Sequence, residues 1–154
     1  MRNDGALRDE ELTRAIIGAF FRVYNELQYG FLERVYGNAL TRVLERSGHA
    51  VAREARAAVW FEGEIIGSHR LDMIVDAKVV VEIKATERLS PIADRQLRSY
   101  LRATGLEVGL LLHFGPEARI RRVHPGKCRA VAARISRESN GHPHDLEDPP
   151  DPVN

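Results

Sequence analysis

Four charged residues alternate with apolar residues on two short neighbouring segments of the chain. Arg70 and Asp72 lie on the first segment, and Glu82 and Lys84 lie on the second. Such alternation is typical of β-strands, because successive side chains of a strand point to opposite faces. A hairpin centred on Ala77 would place Asp72 opposite Glu82 and Arg70 opposite Lys84. All four charges would then share one face of the hairpin.

Two carboxylates that face each other across neighbouring strands suggest a site for a divalent cation. Directly opposed side chains have Cβ atoms about 4.5–5.5 Å apart, and like charges at that distance destabilise the pair unless something compensates them. Mg²⁺ (or Mn²⁺) would compensate Asp72 and Glu82, since Mg²⁺ binds one or two carboxylates plus waters and phosphate oxygens. The Lys84 ammonium would orient or activate a water, or stabilise negative charge on a phosphate.

A purely structural interpretation of these residues is also open. Two bases and two acids on the exposed face of a hairpin would form solvated ion pairs, which contribute little to stability. The segments 79–81 and 108–114 are nearly all apolar, which is typical of strands buried on both faces. We therefore expect the charges to be partly enclosed, and enclosed charges favour a function or a metal ion over a solvated surface.

Composition predicts one globular domain. The chain has 154 residues, of which 44% are hydrophobic and 29% are charged, and its net charge is +1. We place the domain at residues 1–136 and expect residues 137–154, which carry one arginine and five acidic residues, to form a disordered acidic tail. The single cysteine excludes an internal disulfide. No apolar run is long enough for a membrane span, so we expect a cytoplasmic protein with no membrane partner.

Hydrophobic periodicity predicts the elements that would position the charged residues. Two amphipathic helices come first, followed by strands, a third helix opened by Ser90-Pro91, and further strands. We predict helices at residues 9–27, 31–47 and 90–104, a strand pair at 51–61 and 64–67, a hairpin at 70–75 and 79–85, a buried strand at 108–114, and edge strands at 120–123 and 129–133.

Two motifs in this order resemble a known family. Asp72 followed by Glu82-Ile83-Lys84 resembles the signature of the PD-(D/E)xK nuclease superfamily. Gly30, Glu33 and Tyr36 resemble the motif of the GxxExxY family within it. The resemblance extends over about residues 16–123. It implies an α/β fold with a restriction-endonuclease-like core, in which a mixed β-sheet is flanked by helices in the order αβββαβ, here with an extra N-terminal helix.

The resemblance also implies roles for individual residues. Asp72 and Glu82 would bind the metal, Lys84 would serve catalysis, and Glu33 would complete the metal site. For Glu33 an ordinary interpretation stays open, because an acidic residue in the first turn of a helix is favourable in itself.

The candidates for substrate binding are Gln96, Tyr100, Arg70 and Tyr36. Gln96 and Tyr100 resemble the QxxxY motif of the exonuclease-like branch, and their i, i+4 spacing puts both on one helix face. Tyr100 is equally compatible with a core aromatic residue.

The sequence therefore predicts a Mg²⁺-dependent (or Mn²⁺-dependent) nuclease that hydrolyses phosphodiester bonds of DNA or RNA. The near-zero net charge predicts weak, salt-sensitive binding of nucleic acid without sequence preference. Arginines on the third helix and just before it would form a modest basic strip that binds the phosphates (Arg88, Arg95, Arg98, Arg102). The alternative is that these arginines simply form a solvated helix face. A catalytically inactive module of the same fold, binding nucleic acid or a protein partner, is the competing function, and a homodimer is left open.

Overall fold

The structure is a computed structural model and describes residues 4–126. Three helices and seven strands follow one another in the order ααβββββαββ. The helices are α1 (Asp4–Leu27), α2 (Glu33–Arg46) and α3 (Ala93–Thr104). The strands are β1 (Val51–Arg53), β2 (Arg56–Phe61), β3 (Glu64–Arg70), β4 (Met73–Val75), β5 (Val79–Lys84), β6 (Val108–Phe114) and β7 (Ala118–Val123). The predicted strand at 129–133 and the predicted tail at 137–154 lie outside the described residues.

Five strands form one mixed sheet in the order β1-β4-β5-β6-β7. β5 and β6 run parallel and are joined through α3, whereas the other neighbouring pairs are antiparallel. A parallel pair needs a crossover connection, and α3 is that crossover. The predicted α/β architecture with a mixed sheet flanked by helices is thereby confirmed.

The sheet separates two hydrophobic cores. The larger core lies between the sheet and helices α1 and α2, and the smaller core packs against α3. All seven residues of β6 are buried, which explains its nearly all-apolar sequence, because both of its faces are covered. Within the described residues, no helix is both long and apolar enough to span a bilayer.

The hairpin of β4 and β5 has the predicted register. Met73 pairs with Val81 and Val75 pairs with Val79. The turn between the strands uses two left-handed residues, Asp76 with φ 51° and Ala77 with φ 55°. The alternation of apolar and polar residues fixes this register, because a slip of one residue would move each side chain into the wrong core.

The structure corrects the prediction just before this hairpin. The predicted strand at 51–61 is broken in two: β1 joins the main sheet, while β2 pairs with β3 in a separate two-stranded sheet. Glu54, at φ 53°, lies between β1 and β2. β3 continues to Arg70, which pairs with Arg56, so the predicted position of Arg70 opposite Lys84 is wrong.

Two apolar residues also differ from their predicted positions. Leu71 belongs to the core under α3 rather than to the core shared with Met73, because the chain bends between β3 and β4. Ile92, inside the predicted helix at 90–104, precedes α3 and is exposed.

Candidate active site

Asp72 and Glu82 come together at the edge of the smaller core. Asp72 immediately precedes β4, and its Oδ2 accepts a hydrogen bond from the backbone N–H of Ile83 at 2.8 Å. Glu82 lies in β5, between two residues whose side chains belong to the larger core. Since successive strand side chains alternate, Glu82 and Lys84 both face the α3 side of the sheet.

The Glu82 carboxylate is buried with only one of its oxygens paired. Its side chain is 6% exposed, and Oε1 lies 3.0 Å from Nζ of Lys84. Oε2 is buried and has no hydrogen-bond partner among the described residues. Burial, the largest cause, and the negative charge of Asp72 raise the pKa of the Glu82 carboxyl to about 7. The hydrogen bond and the positive charge of Lys84 act against this rise and do not outweigh it.

Lys84 is held as a cation beside this carboxylate. Burial acts to lower the pKa of its amine, but the hydrogen bond to Glu82 and the neighbouring carboxylates outweigh burial and raise that pKa. Its side chain is 24% exposed, so the ammonium also has access to solvent. A fixed ammonium in this position can donate hydrogen bonds to a bound oxyanion.

Glu33 approaches the same region from α2. It is the first residue of that helix, and its Oε1 accepts a hydrogen bond of 3.3 Å from the N–H of Ala85, the residue after β5. Its negative charge contributes to the raised pKa values of both Glu82 and Lys84. The structure thus places Glu33 within electrostatic reach of the pair.

Tyr36 is a core residue that fixes the loop leading into α2. It is fully buried, and its ring stacks on Phe114 with a centroid distance of 4.1 Å. Its hydroxyl donates to the carbonyl of Gln28 at 2.5 Å and accepts from the N–H of Phe31 at 3.1 Å. The structure therefore gives Tyr36 a structural position rather than a surface open to a ligand.

Of the other three residues proposed to contact substrate, one lies beside the carboxylates and two are exposed on the surface. Tyr100 is half-buried, and the pKa of its hydroxyl is raised by burial and by the charge of Glu82, so its ring lies beside the carboxylates. Gln96 is exposed on α3, one turn before it. The Arg70 side chain is 67% exposed and lies 3.9 Å from Oε1 of Glu54.

Sequence reasoning missed three residues that border the site. His69 of β3 lies against Tyr100, with ring centroids 4.9 Å apart. Arg53 donates through Nε to the carbonyl oxygen of Asp72 at 3.1 Å. His113 is the register partner of Lys84, and its Nε2 donates to the carbonyl of Thr86 at 2.7 Å. These contacts join residues distant in sequence, so the spacing of residues along the chain carries no signal for them.

The donor set fits a divalent cation of the Mg²⁺ type. Across the described residues, no three side chains of His, Cys, Asp or Glu come close enough to hold a metal ion by themselves. Mg²⁺ does not need such a cage, since it keeps several waters and takes only one or two carboxylates. The unpartnered Oε2 of Glu82 beside Asp72 supplies hard oxygen ligands of this kind.

Comparison with known proteins gives one family. The model of the PD-(D/E)XK nuclease superfamily matches residues 10–123, which include α2, most of α1 and every residue of the site. No curated protein and no solved structure matches the chain.

Proposed function

The chain belongs to the PD-(D/E)XK nuclease superfamily, and on this premise we propose that it is a metal-dependent nuclease that hydrolyses phosphodiester bonds of DNA or RNA. Its Gly30, Glu33 and Tyr36 further suggest the GxxExxY family within that superfamily. The observation that carries the proposal is the buried Oε2 of Glu82, which has no hydrogen-bond partner among the described residues, on a carboxylate that neighbours Asp72 and Lys84.

Asp72 and Glu82 would hold the cation, with Glu33 as the further acidic residue of the site. Nucleases of this superfamily typically use divalent metals. When bound, Mg²⁺ or Mn²⁺ supplies a Lewis acid that polarises the phosphoryl oxygen and makes water more acidic. The backbone N–H of Ile83 fixes Asp72 by its hydrogen bond, so the carboxylate keeps its orientation when a ligand enters.

Lys84 would act directly on the reacting phosphate. Its ammonium lies on the same face of β5 as Glu82 and is partly exposed, so it can donate to a non-bridging phosphate oxygen as negative charge grows there. Tyr100, with His69 against its ring, offers a flat surface on which a nucleotide base can stack.

Substrate binding is proposed to be weak, sensitive to salt and without sequence preference. The net charge of +1 supports this, because a strongly basic protein would bind the polyanion more tightly. A homodimer and a cytoplasmic location stay predictions from the sequence.

A cleavage and metal-binding experiment tests the proposal. Lys84→Ala should abolish cleavage of single- and double-stranded DNA and RNA in Mg²⁺ or Mn²⁺, while calorimetric titration still detects Mn²⁺ binding. Asp72→Asn should lose both properties. Lys78→Ala removes an exposed lysine from the hairpin turn and serves as the matched control, which should behave as the parent.

Two results would contradict the proposal. Equal cleavage by the parent, Lys84→Ala and Asp72→Asn would identify a contaminating nuclease. A parent protein that binds nucleic acid but neither cleaves it nor binds Mn²⁺ would be the catalytically inactive module.

A further inference from the structure

Arg53 is held in one orientation by neutral oxygens alone. Its Nε donates to the carbonyl of Asp72 at 3.1 Å, and its Nη1 lies 3.2 Å from both Oδ1 of Asn38 and Oγ1 of Thr41. Within residues 9–126, no ion pair joins Arg53 to a carboxylate. A guanidinium fixed in this way keeps its charge available for an anionic ligand.

The sequence of α2 leaves room for this guanidinium. A Cβ added at Gly37 would lie 2.8 Å from Cζ of Arg53 and closer still to Nη2. Glycine inside a helix costs roughly 0.5–1 kcal/mol relative to alanine. The close approach of Arg53 gives a physical reason for glycine at this position.

Arg53 lines an open cavity whose other wall is the outer face of α2. The cavity has a volume of about 560 Å³. Its lining residues are Asn38, Thr41, Arg42, Glu45, Arg46 and Arg53. Three arginines against one glutamate leave the lining with an excess of positive charge, and both Arg42 and Arg46 are exposed.

Arg53 connects the cavity to the main chain of the candidate active site. Arg53 is hydrogen-bonded to the main chain of Asp72, so one wall is in direct contact with a carboxylate residue of the site. At about 1.5 Å per helical residue, Arg42 and Arg46 lie roughly 14 Å and 20 Å along α2 from Glu33. The two arginines are one helical turn apart and follow each other along the same side of α2, about 6 Å apart.

We propose that this cavity binds backbone phosphates of the substrate strand on one side of the scissile bond. The inference rests on the proposed nuclease function and names the surface that guides the strand. Arg53 binds the phosphate nearest Asp72, and Arg42 and Arg46 bind the phosphates beyond it. The basic strip that the sequence suggested on α3 lies on the opposite face of the sheet from α2 and stays a prediction.

Binding of a labelled single-stranded oligonucleotide, in chelator to prevent cleavage, tests this assignment. Arg42→Ala with Arg46→Ala should weaken binding about tenfold and reduce the salt slope of log K by about 1.4, or 0.7 for each phosphate. Both side chains are exposed, so the thermal midpoint should stay that of the parent. Arg14→Ala with Arg122→Ala removes the same charge from other exposed positions and should leave the slope unchanged.

A second variant tests Arg53 without removing any charge. Gly37→Ala adds a methyl group that displaces the guanidinium, so binding should weaken although the net charge is that of the parent. Retention of parental affinity in Gly37→Ala would overturn the role of Arg53.

Three further outcomes would overturn the assignment of the cavity. The first is an unchanged salt slope in the Arg42→Ala, Arg46→Ala variant. The second is a loss of oligonucleotide affinity found only when Arg95 and Arg98 of α3 are both replaced by alanine. The third is inorganic phosphate binding as tightly as the oligonucleotide. Cleavage by the parent in Mg²⁺ distinguishes a failure of the cavity assignment from a failure of the proposed nuclease function. If the parent cleaves nucleic acid but any of these outcomes is found, the cavity assignment fails while the nuclease function stands.

Discussion

The metal-free protein should become less stable as the pH rises, because the folded state holds a proton on Glu82. The pKa of this carboxyl is raised from 4.5 to about 7 in the folded chain. Between these values the folded protein binds a proton that the unfolded protein has released, so the free energy of unfolding falls as the pH increases. The contribution is fully favourable below pH 4.5 and is lost as the pH passes through 7.

The size of the effect follows from the shift in pKa. The rise from 4.5 to about 7, at about 1.4 kcal/mol per pH unit, amounts to about 3 kcal/mol. Solvent screens this energy little, because the Glu82 side chain is only 6% exposed. This is a substantial part of the 5–15 kcal/mol that typically stabilises a domain.

Denaturant unfolding of the parent and Glu82→Gln, in chelator over a range of pH, measures this contribution. Glutamine is neutral at every pH, so the stability of the variant relative to the parent should grow by about 3 kcal/mol from pH 4.5 to above pH 7. Titrating groups that do not interact with Glu82 cancel in the difference. Glu107→Gln, which changes an exposed glutamate, should show no such growth. Parallel stability curves for the parent and Glu82→Gln would refute the reasoning.

Three further predictions concern packing and backbone conformation. Tyr36→Phe should lower the free energy of unfolding by about 1–3 kcal/mol in denaturant titrations, because it removes two part-buried hydrogen bonds that contribute about 0.5–1.5 kcal/mol each, yet the variant should still bind nucleic acid. Ala77→Gly should raise the free energy of unfolding by up to about 1 kcal/mol and with it the thermal midpoint, because φ at this residue is 55° and glycine adopts a positive φ without steric cost. A lower midpoint would contradict this. Gly109→Ala should destabilise the fold by about 1–3 kcal/mol, because the new Cβ would lie 2.9 Å from Cγ of Leu97. Calorimetric melting measures this loss, and an unchanged thermal midpoint would contradict the prediction.

The sequence predicted most accurately where local pattern determines structure. The register of Met73 with Val81 follows from the alternation of apolar residues and a short turn, and both are visible in one stretch of chain. The buried strand β6 follows from its nearly all-apolar sequence. The pairing of Asp72 with Glu82 needed nothing beyond this local register.

Prediction failed where the chain changes sheets. Arg70 continues the alternation of Asp72 perfectly, yet the bend at Asp72 separates β3 from β4, and Arg70 pairs with Arg56. Nothing in the local pattern indicates such a bend, because every residue in it is compatible with an extended strand. The partner strand decides where β3 ends, and that partner is set by tertiary packing.

The charged site also gained contacts that no spacing could predict. Arg53 reaches Asp72 across 19 residues, and His69 meets Tyr100 across the gap between a hairpin and a helix. Tyr36 shows the converse, since a motif residue expected to contact substrate is used to fix the loop before α2. Motifs identify which residues belong together, whereas packing decides which of them face a ligand.

The chain separations within the site have a kinetic consequence. Asp72 and the N–H of Ile83 are 11 residues apart, whereas Glu33 and Ala85 are 52 residues apart. Since short loops close at a smaller entropic cost than long ones, we expect the two carboxylates to meet early in folding, while water still screens their repulsion. Their mutual destabilisation then develops after the folding transition state, as the helices cover the sheet. Raising the pH through the pKa of Glu82 should therefore accelerate unfolding and leave the folding rate nearly unchanged.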